Sequence, residues 1–186
     1  MTPQAHDRLD RPLTHHDLDH TPEDGNLYEV INGVLYVTPF PDYPHQEAVG
    51  QLFRALDTHV RDHGLGKVFP SGLKVVLDEP TGVGPDLVYI SLPRMDRMLE
   101  DGYHGVPDLI VEVTSSRPER DRVVKAQKYA QAGVPHYWIV NPKGRCLQAY
   151  RLEAGHYRLV VEVSGESSFE PELFPGLTVR LETLWV

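Results

Sequence analysis

The chain is poor in three things. It holds a single cysteine, Cys146, so no disulfide can form within it, and that usage fits a reducing compartment such as the cytoplasm. No stretch approaches the ~20 continuous apolar residues of a membrane span. Positive charge is also scarce: 18 Lys and Arg stand against 27 Asp and Glu, a formal charge of −9. That balance argues against a nucleic-acid coat protein, which would carry basic patches. It leaves room for a site whose carboxylates hold a cation, because such charges are neutralised when the ion binds.

What is present is enough for one core: 186 residues, 40% of them apolar. The first twenty residues are polar, rich in Asp, Arg and His, and unlike a secretory signal. We read residues 1–20 as an arm, with a short helix near Thr14–Asp19, and residues 21–186 as one domain. His15, His16 and His20 in the arm are expected on a solvated surface rather than as a metal tract.

Patterning outlines the domain. Two β-prone runs, Leu27–Ile31 and Val34–Val37, flank Asn32-Gly33, the dipeptide favoured by a type I′ hairpin turn. From His45 to His63, Val49, Leu52, Phe53, Leu56 and Val60 recur at helical spacing, and Gly64-Leu65-Gly66 ends the helix. Lys67–Leu77 reads as a strand region interrupted at Pro70-Ser71-Gly72, Thr81–Gly84 as a turn, and Asp86–Ser91 as a short strand. Leu92–Gly105 reads as loop with a short helix. Asp108–Thr114 is apolar except at Asp108, Glu112 and Thr114, as befits a central strand covered on both faces. A second helix spans Arg117–Ala132, with Val123, Val124, Ala126, Gln127, Tyr129 and Ala130 available to pack. His136–Val140 is a strand, Leu147–Leu152 and His156–Val163 form a hairpin, and the tail adds a final strand. The fold class is α/β in the broad sense: a mixed α+β sheet with a parallel crossover and two flanking helices.

Glu112 is the informative residue, a carboxylate in the most apolar strand of the chain. Isolated charges are rarely buried without a partner or a metal. Side chains alternate faces along a strand, so Glu112 shares a face with Asp108, Ile110 and Thr114. Asp108 would stand about 13 Å away at ~3.3 Å per residue, too far to share one ion, and reads as a strand-start hydrogen bonder. Asp86, opening the preceding strand, is the better partner. Two carboxylates plus a backbone carbonyl such as that of Val113 suit Mg²⁺, which keeps several waters. No Cys/His spacing of the zinc type appears. The cations nearest in sequence are Lys125 and Lys128 on the second helix; Lys125 can reach back over the strand ends, whereas Lys128 reads as a solvated helix residue.

These residues resemble a known family. Pro85-Asp86, Glu112-Val113-Thr114 and Lys125 are similar to the PD-(D/E)XK nuclease superfamily, the restriction-endonuclease-like fold. More narrowly, the chain resembles the restriction-endonuclease family of the Uma-two type. The words that carry this are Tyr28–Gly33, His45, Pro85–Val88, Pro107–Val113, Arg120-Asp121, Lys125, Tyr129, Gly133-Val134-Pro135 and Tyr137–Val140. The resemblance runs from about Leu27 to Leu184. It implies a helix–three-strand–helix–strand core, here with an N-terminal hairpin and a C-terminal hairpin extension. It implies a divalent-metal endonuclease acting on DNA, with Mg²⁺ (or Mn²⁺ as substitute) held by Asp86 and Glu112 and with Lys125 as the relocated catalytic lysine. Glu29 and His45 match further polar positions that line the site. Thr114 stands where the superfamily's lysine usually does, at the site's edge. That departure and the acidic charge leave a rival reading: a metal- or nucleic-acid-binding scaffold that kept the fold and lost efficient catalysis. A homodimer or higher homo-oligomer suits either function.

Overall fold

The computed structural model describes residues 11–114 and 119–185, with backbone only for residues 119–122. The first ten residues of the arm, the expected helix start at Arg117, and the side chains of Arg120 and Asp121 lie outside that description.

The elements follow in order: β1 (Leu27–Ile31), β2 (Val34–Thr38), α1 (Tyr43–Asp62), β3 (Gly66–Pro70), β4 (Val75–Asp78), β5 (Thr81–Val83), β6 (Leu87–Ser91), β7 (Met98–Leu99), β8 (Gly102–His104), β9 (Leu109–Val113), α2 (Glu119–Ala132), β10 (His136–Asn141), β11 (Cys146–Glu153), β12 (His156–Ser164), β13 (Ser168–Phe169) and β14 (Val179–Arg180). Short 3-10 turns span His15–His20, Leu92–Arg97 and Leu181–Leu184. The central sheet runs β12-β11-β10-β9-β6-β3, and a second sheet runs β2-β1-β5-β4-β8-β7. Within the central sheet, β3, β6 and β9 are antiparallel neighbours, and α2 carries the chain across to β10, which lies parallel to β9. With α1 in front, this is the helix–three-strand–helix–strand core expected from the sequence.

Local chemistry explains the elements. The β1–β2 turn places Asn32 at φ 51° and Gly33 at φ 79°, the positive values a type I′ turn requires at both positions. Helix α1 starts where the Asp42 side chain accepts the His45 N–H at 3.2 Å, and Pro44 sits in the first turn, where no amide hydrogen is needed. It therefore begins two residues earlier than the apolar spacing alone suggests. Its inner face (Ala48, Val49, Leu52, Leu56 and Val60) packs with Leu87, Leu109, Val111, Val113 and Trp138 of the central sheet and with Phe174, Leu177 and Leu181 of the tail. Truncating Leu52 or Leu56, both fully buried, would cost about 2–5 kcal/mol.

The opposite face of the central sheet carries Val88, Ile90, Ile110, Tyr137 and Ile139. It is covered by Tyr129 and Val134 from α2 and the following turn, and by Ile31, Val75 and Val83 of the second sheet. The alternation along β9 thus splits Leu109, Val111 and Val113 from Ile110 and Glu112, and sends Glu112 to the side where α2 and the second sheet meet.

Several expectations need correction. Thr81–Val83 is not a turn but a buried strand between β1 and β4, because a Gly at 82 lets the arm pack flat on it: a Cβ there would lie 2.9 Å from His15 Cβ. Lys67–Leu77 breaks at Ser71-Gly72 into two strands that join different sheets. His15 is not solvated; it is buried, with its N–H donating to the Glu79 carbonyl at 3.1 Å, while His16 and His20 are exposed as expected. Lys128 is not a solvated helix residue. It is buried and ion-paired to Asp78 at the end of β4, because α2 lies against the second sheet. Val123 and Gln127, available for packing on spacing alone, face outward.

Candidate active site

The register that sets Leu87 against Val111 continues one step to bring Asp86, just before β6, beside Glu112 of β9. Asp86 Oδ2 accepts the Val113 N–H at 2.7 Å and lies 3.1 Å from His45 Nε2. Its backbone carbonyl accepts from the Ser71 hydroxyl at 3.3 Å. His45 is buried in the first turn of α1, and its Nδ1 has no partner among the described residues. Burial works to lower the imidazole pKa, but the hydrogen bond and charge of Asp86 outweigh it and leave it above the ordinary histidine value.

On the same side of β9, α2 contributes two side chains one turn apart. Lys125 Nζ stands 3.2 and 3.4 Å from the Glu112 carboxylate oxygens, and the Tyr129 hydroxyl donates to Glu112 Oε1 at 2.7 Å. Residues i and i+4 share a helix face, so one helix orientation delivers both. Glu29 enters from β1: its Oε1 is 2.8 Å from Lys125 Nζ and accepts the Gly84 N–H at 2.9 Å. Glu29 is not on the hairpin surface, since its side chain is only 2% exposed.

The electrostatics follow from this crowding. Burial pushes the Glu112 carboxyl up to about 7; the charges of Asp86 and Glu29 push the same way, while Lys125 and the Tyr129 hydrogen bond oppose them. Burial would lower the Lys125 ammonium, yet Glu112 and Glu29 dominate and raise it above the ordinary lysine value. Tyr129 is held far above the usual phenol value by burial and then by the charges of Glu112 and Glu29. Lys125 is therefore a fixed cation, whereas the Glu112 carboxyl changes charge near neutral pH.

A model of the Uma2 family, described as "Putative restriction endonuclease", matches residues 14–182. The chain belongs to the Uma2 family. The cluster on β1, α1, β6, β9 and α2 lies wholly within the Uma2 match. Among solved structures the chain is similar to a "putative nuclease belonging to DUF820" from Anabaena variabilis, with a TM-score of 0.78 at 16% identity, over 93% of this chain and 97% of that one. The likeness places this Uma2 chain on a nuclease fold with a restriction-endonuclease-like core. No curated protein matches it. Among the described residues, no helix is long and apolar enough to cross a membrane.

The residues singled out from the sequence are brought together in part. His45 and Asp86 make one bonded pair, Lys125 joins Glu112 to Glu29, and the strand register sets the two groups side by side, with the Val113 N–H bonded to Asp86. Thr114 stands one residue beyond β9, where its N–H donates to the Val140 carbonyl at 2.7 Å. Asp108 lies apart, accepting the Ser91 N–H at 2.8 Å and facing Arg94, as a strand-start hydrogen bonder should. Tyr129 packs in the core, as its spacing suggests, but its hydroxyl contact with Glu112 is one that sequence reasoning missed. Its spacing from Lys125 was the available signal: a lysine aimed at Glu112 carries its i+4 neighbour with it.

Proposed function

We propose that the chain is a Mg²⁺-dependent endonuclease that hydrolyses phosphodiester bonds in DNA. Asp86 and Glu112 are its metal ligands, with the Val113 carbonyl as a third oxygen donor, and Mn²⁺ can substitute. Membership of the Uma2 family supports the reaction class. The observation that carries the site assignment is the Glu112 carboxyl, mostly withdrawn from solvent at 15% exposure and set among Asp86, Glu29 and a single lysine. Glu29, Asp86 and Glu112 are hard oxygen donors, and the first two add to the burial that raises the cost of ionising Glu112, which a hard divalent cation relieves. When bound, such an ion polarises the phosphate and lowers the pKa of the attacking water.

The remaining roles belong to the chain's own groups. Lys125 holds a permanent positive charge beside Glu112 and stabilises the negative charge that builds on the reacting phosphate. Glu29 and Tyr129 keep the ammonium and the Glu112 carboxylate in register. His45 orients Asp86 through Nε2, and the Val113 N–H anchors the same oxygen. A scaffold reading has one specific support: Thr114 occupies the usual lysine position, so catalysis depends on a cation borrowed from α2.

Plasmid DNA incubated with Mg²⁺ or Mn²⁺ tests both readings. Nicking by wild type that is lost in Asp86→Ala and Glu112→Gln is the expected result. Stoichiometric Mn²⁺ binding without cleavage of any nucleic acid would transfer the site to the scaffold reading. Equal cleavage by wild type and variants would remove it from the chemistry altogether. A homodimer in the cytoplasm is the assembly and location we associate with this activity.

A further inference from the structure

A second group of ligating side chains lies away from that cluster. His15 and His16, in the 3-10 turn of the arm, and Glu79, between β4 and β5, each offer one ligand atom, and these atoms all lie within 4.8 Å of one another. They are the one such set of three or more His, Cys, Asp or Glu side chains among the described residues. The imidazoles of His15 and His16 lie face-near, with ring centroids 4.0 Å apart, and His15 Nε2 is 3.8 Å from Glu79 Oε2. That separation is too long for a hydrogen bond. It is close to the span of two ligands on one ion at about 2.0–2.2 Å each.

The independent observation is His15 itself. Its side chain is 5% exposed, and its Nδ1 has no hydrogen-bond partner among the described residues. Buried polar groups are normally satisfied, yet Nδ1 has no partner among the described residues and Nε2, the nitrogen facing Glu79, is beyond hydrogen-bond reach of it at 3.8 Å; this under-partnered imidazole beside a second imidazole and a carboxylate points to a missing ligand. The backbone has already set the geometry: the His15 N–H is bonded to the Glu79 carbonyl, and Gly82 leaves room for His15 to settle against β5. Burial and the neighbouring His16 keep the His15 imidazole below its ordinary pKa, in the neutral form that metals require.

We infer that His15, His16 and Glu79 form a binding site for a borderline transition-metal ion of the Zn²⁺ class, which clips the arm to the second sheet. Two imidazoles and one carboxylate are a donor set that zinc accepts, leaving a fourth position for water. Mg²⁺ prefers oxygen donors, so the two sites select different ions. The ion would tie the arm to the turn that precedes Gly84, whose N–H holds Glu29, and would make the order of the arm depend on metal.

The test is titration of untagged, metal-free full-length protein with Co²⁺ and Zn²⁺, read by visible absorption, calorimetry and thermal unfolding. Four proteins are compared: wild type, Asp86→Ala, His16→Ala and Glu79→Gln. His16 and Glu79 are exposed, so their replacement leaves the core intact, whereas His15→Ala would confound folding with binding. One equivalent bound by wild type and equally by Asp86→Ala is expected, together with at least a tenfold loss of affinity in His16→Ala and Glu79→Gln. Zn²⁺ should raise Tm by about 5 °C in the first two proteins and by much less in the others. Absence of stoichiometric binding would overturn the site. So would binding that survives both arm and turn substitutions, or that disappears with Asp86→Ala.

Discussion

Lys125 and Glu112 are thirteen residues apart in sequence, on a helix and a strand, yet Nζ lies 3.2 and 3.4 Å from the two carboxylate oxygens. The second contact of the ammonium, Glu29 at 2.8 Å, belongs to a different sheet. One cation therefore joins three elements. Lys125→Met should lower nuclease activity by about 10²–10³-fold, the effect of removing a charge stabiliser from a polar reaction. It should also destabilise the metal-free protein by about 3 kcal/mol, because a buried carboxylate, Glu29, and a mostly buried one, Glu112, lose their counter-charge. Added Mg²⁺ should recover much of that stability and little of the activity. Denaturant unfolding with and without Mg²⁺, beside a cleavage assay, separates the two effects.

Glu112 carries one component of the pH dependence. Its carboxyl stands at about 7 against an ordinary value of 4.5. Between these values the folded chain keeps a proton that the unfolded chain has released, so stability falls as pH rises across that window. The whole effect is on the order of 3 kcal/mol in the absence of metal. Glu112→Gln should flatten this component, which urea melts at several pH values would reveal. Affinity for Mg²⁺ should change in the opposite sense, strengthening as pH rises through about 7, since the metal binds the ionised form.

In the proposed mechanism His45 acts through Asp86, which lies 3.1 Å from its Nε2. Replacing it with Ala removes one partner of Asp86 Oδ2 and leaves the Val113 N–H in place. Metal affinity and cleavage should drop about 10–100-fold, as when a group that orients a ligand is lost. Far-UV circular dichroism should be unchanged; a comparable loss of helix signal would make the residue a folding element instead.

The two lysines of α2 should behave differently although three residues separate them. Lys128 pairs with Asp78 and touches none of the site carboxylates. Asp78→Ala should cost about 1–2 kcal/mol, less than a fully buried pair because Asp78 is itself half-exposed. Cleavage at a temperature where the variant stays folded should be unaffected. Loss of cleavage there would place Lys128 in the chemistry.

Much of this site could be read before any coordinates. A charged residue in an otherwise apolar strand is physically anomalous, and Glu112 announced itself for that reason. Asp86 followed from strand spacing, and the Asn32-Gly33 hairpin from the turn chemistry that places Glu29 next to it. Glu29 and His45 themselves entered through resemblance, because neither residue shows in local patterning whether its strand or helix turn faces a site. Lys128 departs from its expected solvated place, and the hydroxyl of the core residue Tyr129 gains a contact with Glu112, for a related reason. The sequence spacing of α2 says which residues share a face, but not what that face meets.

The amino-acid order by itself determined the elements: periodicity, caps and turn residues act over a few positions, and the hairpin, both helices and the central strands follow from them. It also determined that a carboxylate would be buried. Tertiary structure alone decided which partners surround it. Packing α2 and the second sheet on one face of β9 put a lysine between two glutamates. Seating the arm on Gly82 buried His15 beside Glu79. Those contacts join residues up to 96 positions apart, from Glu29 to Lys125, and long-range burial and charge leave no periodic mark on a chain.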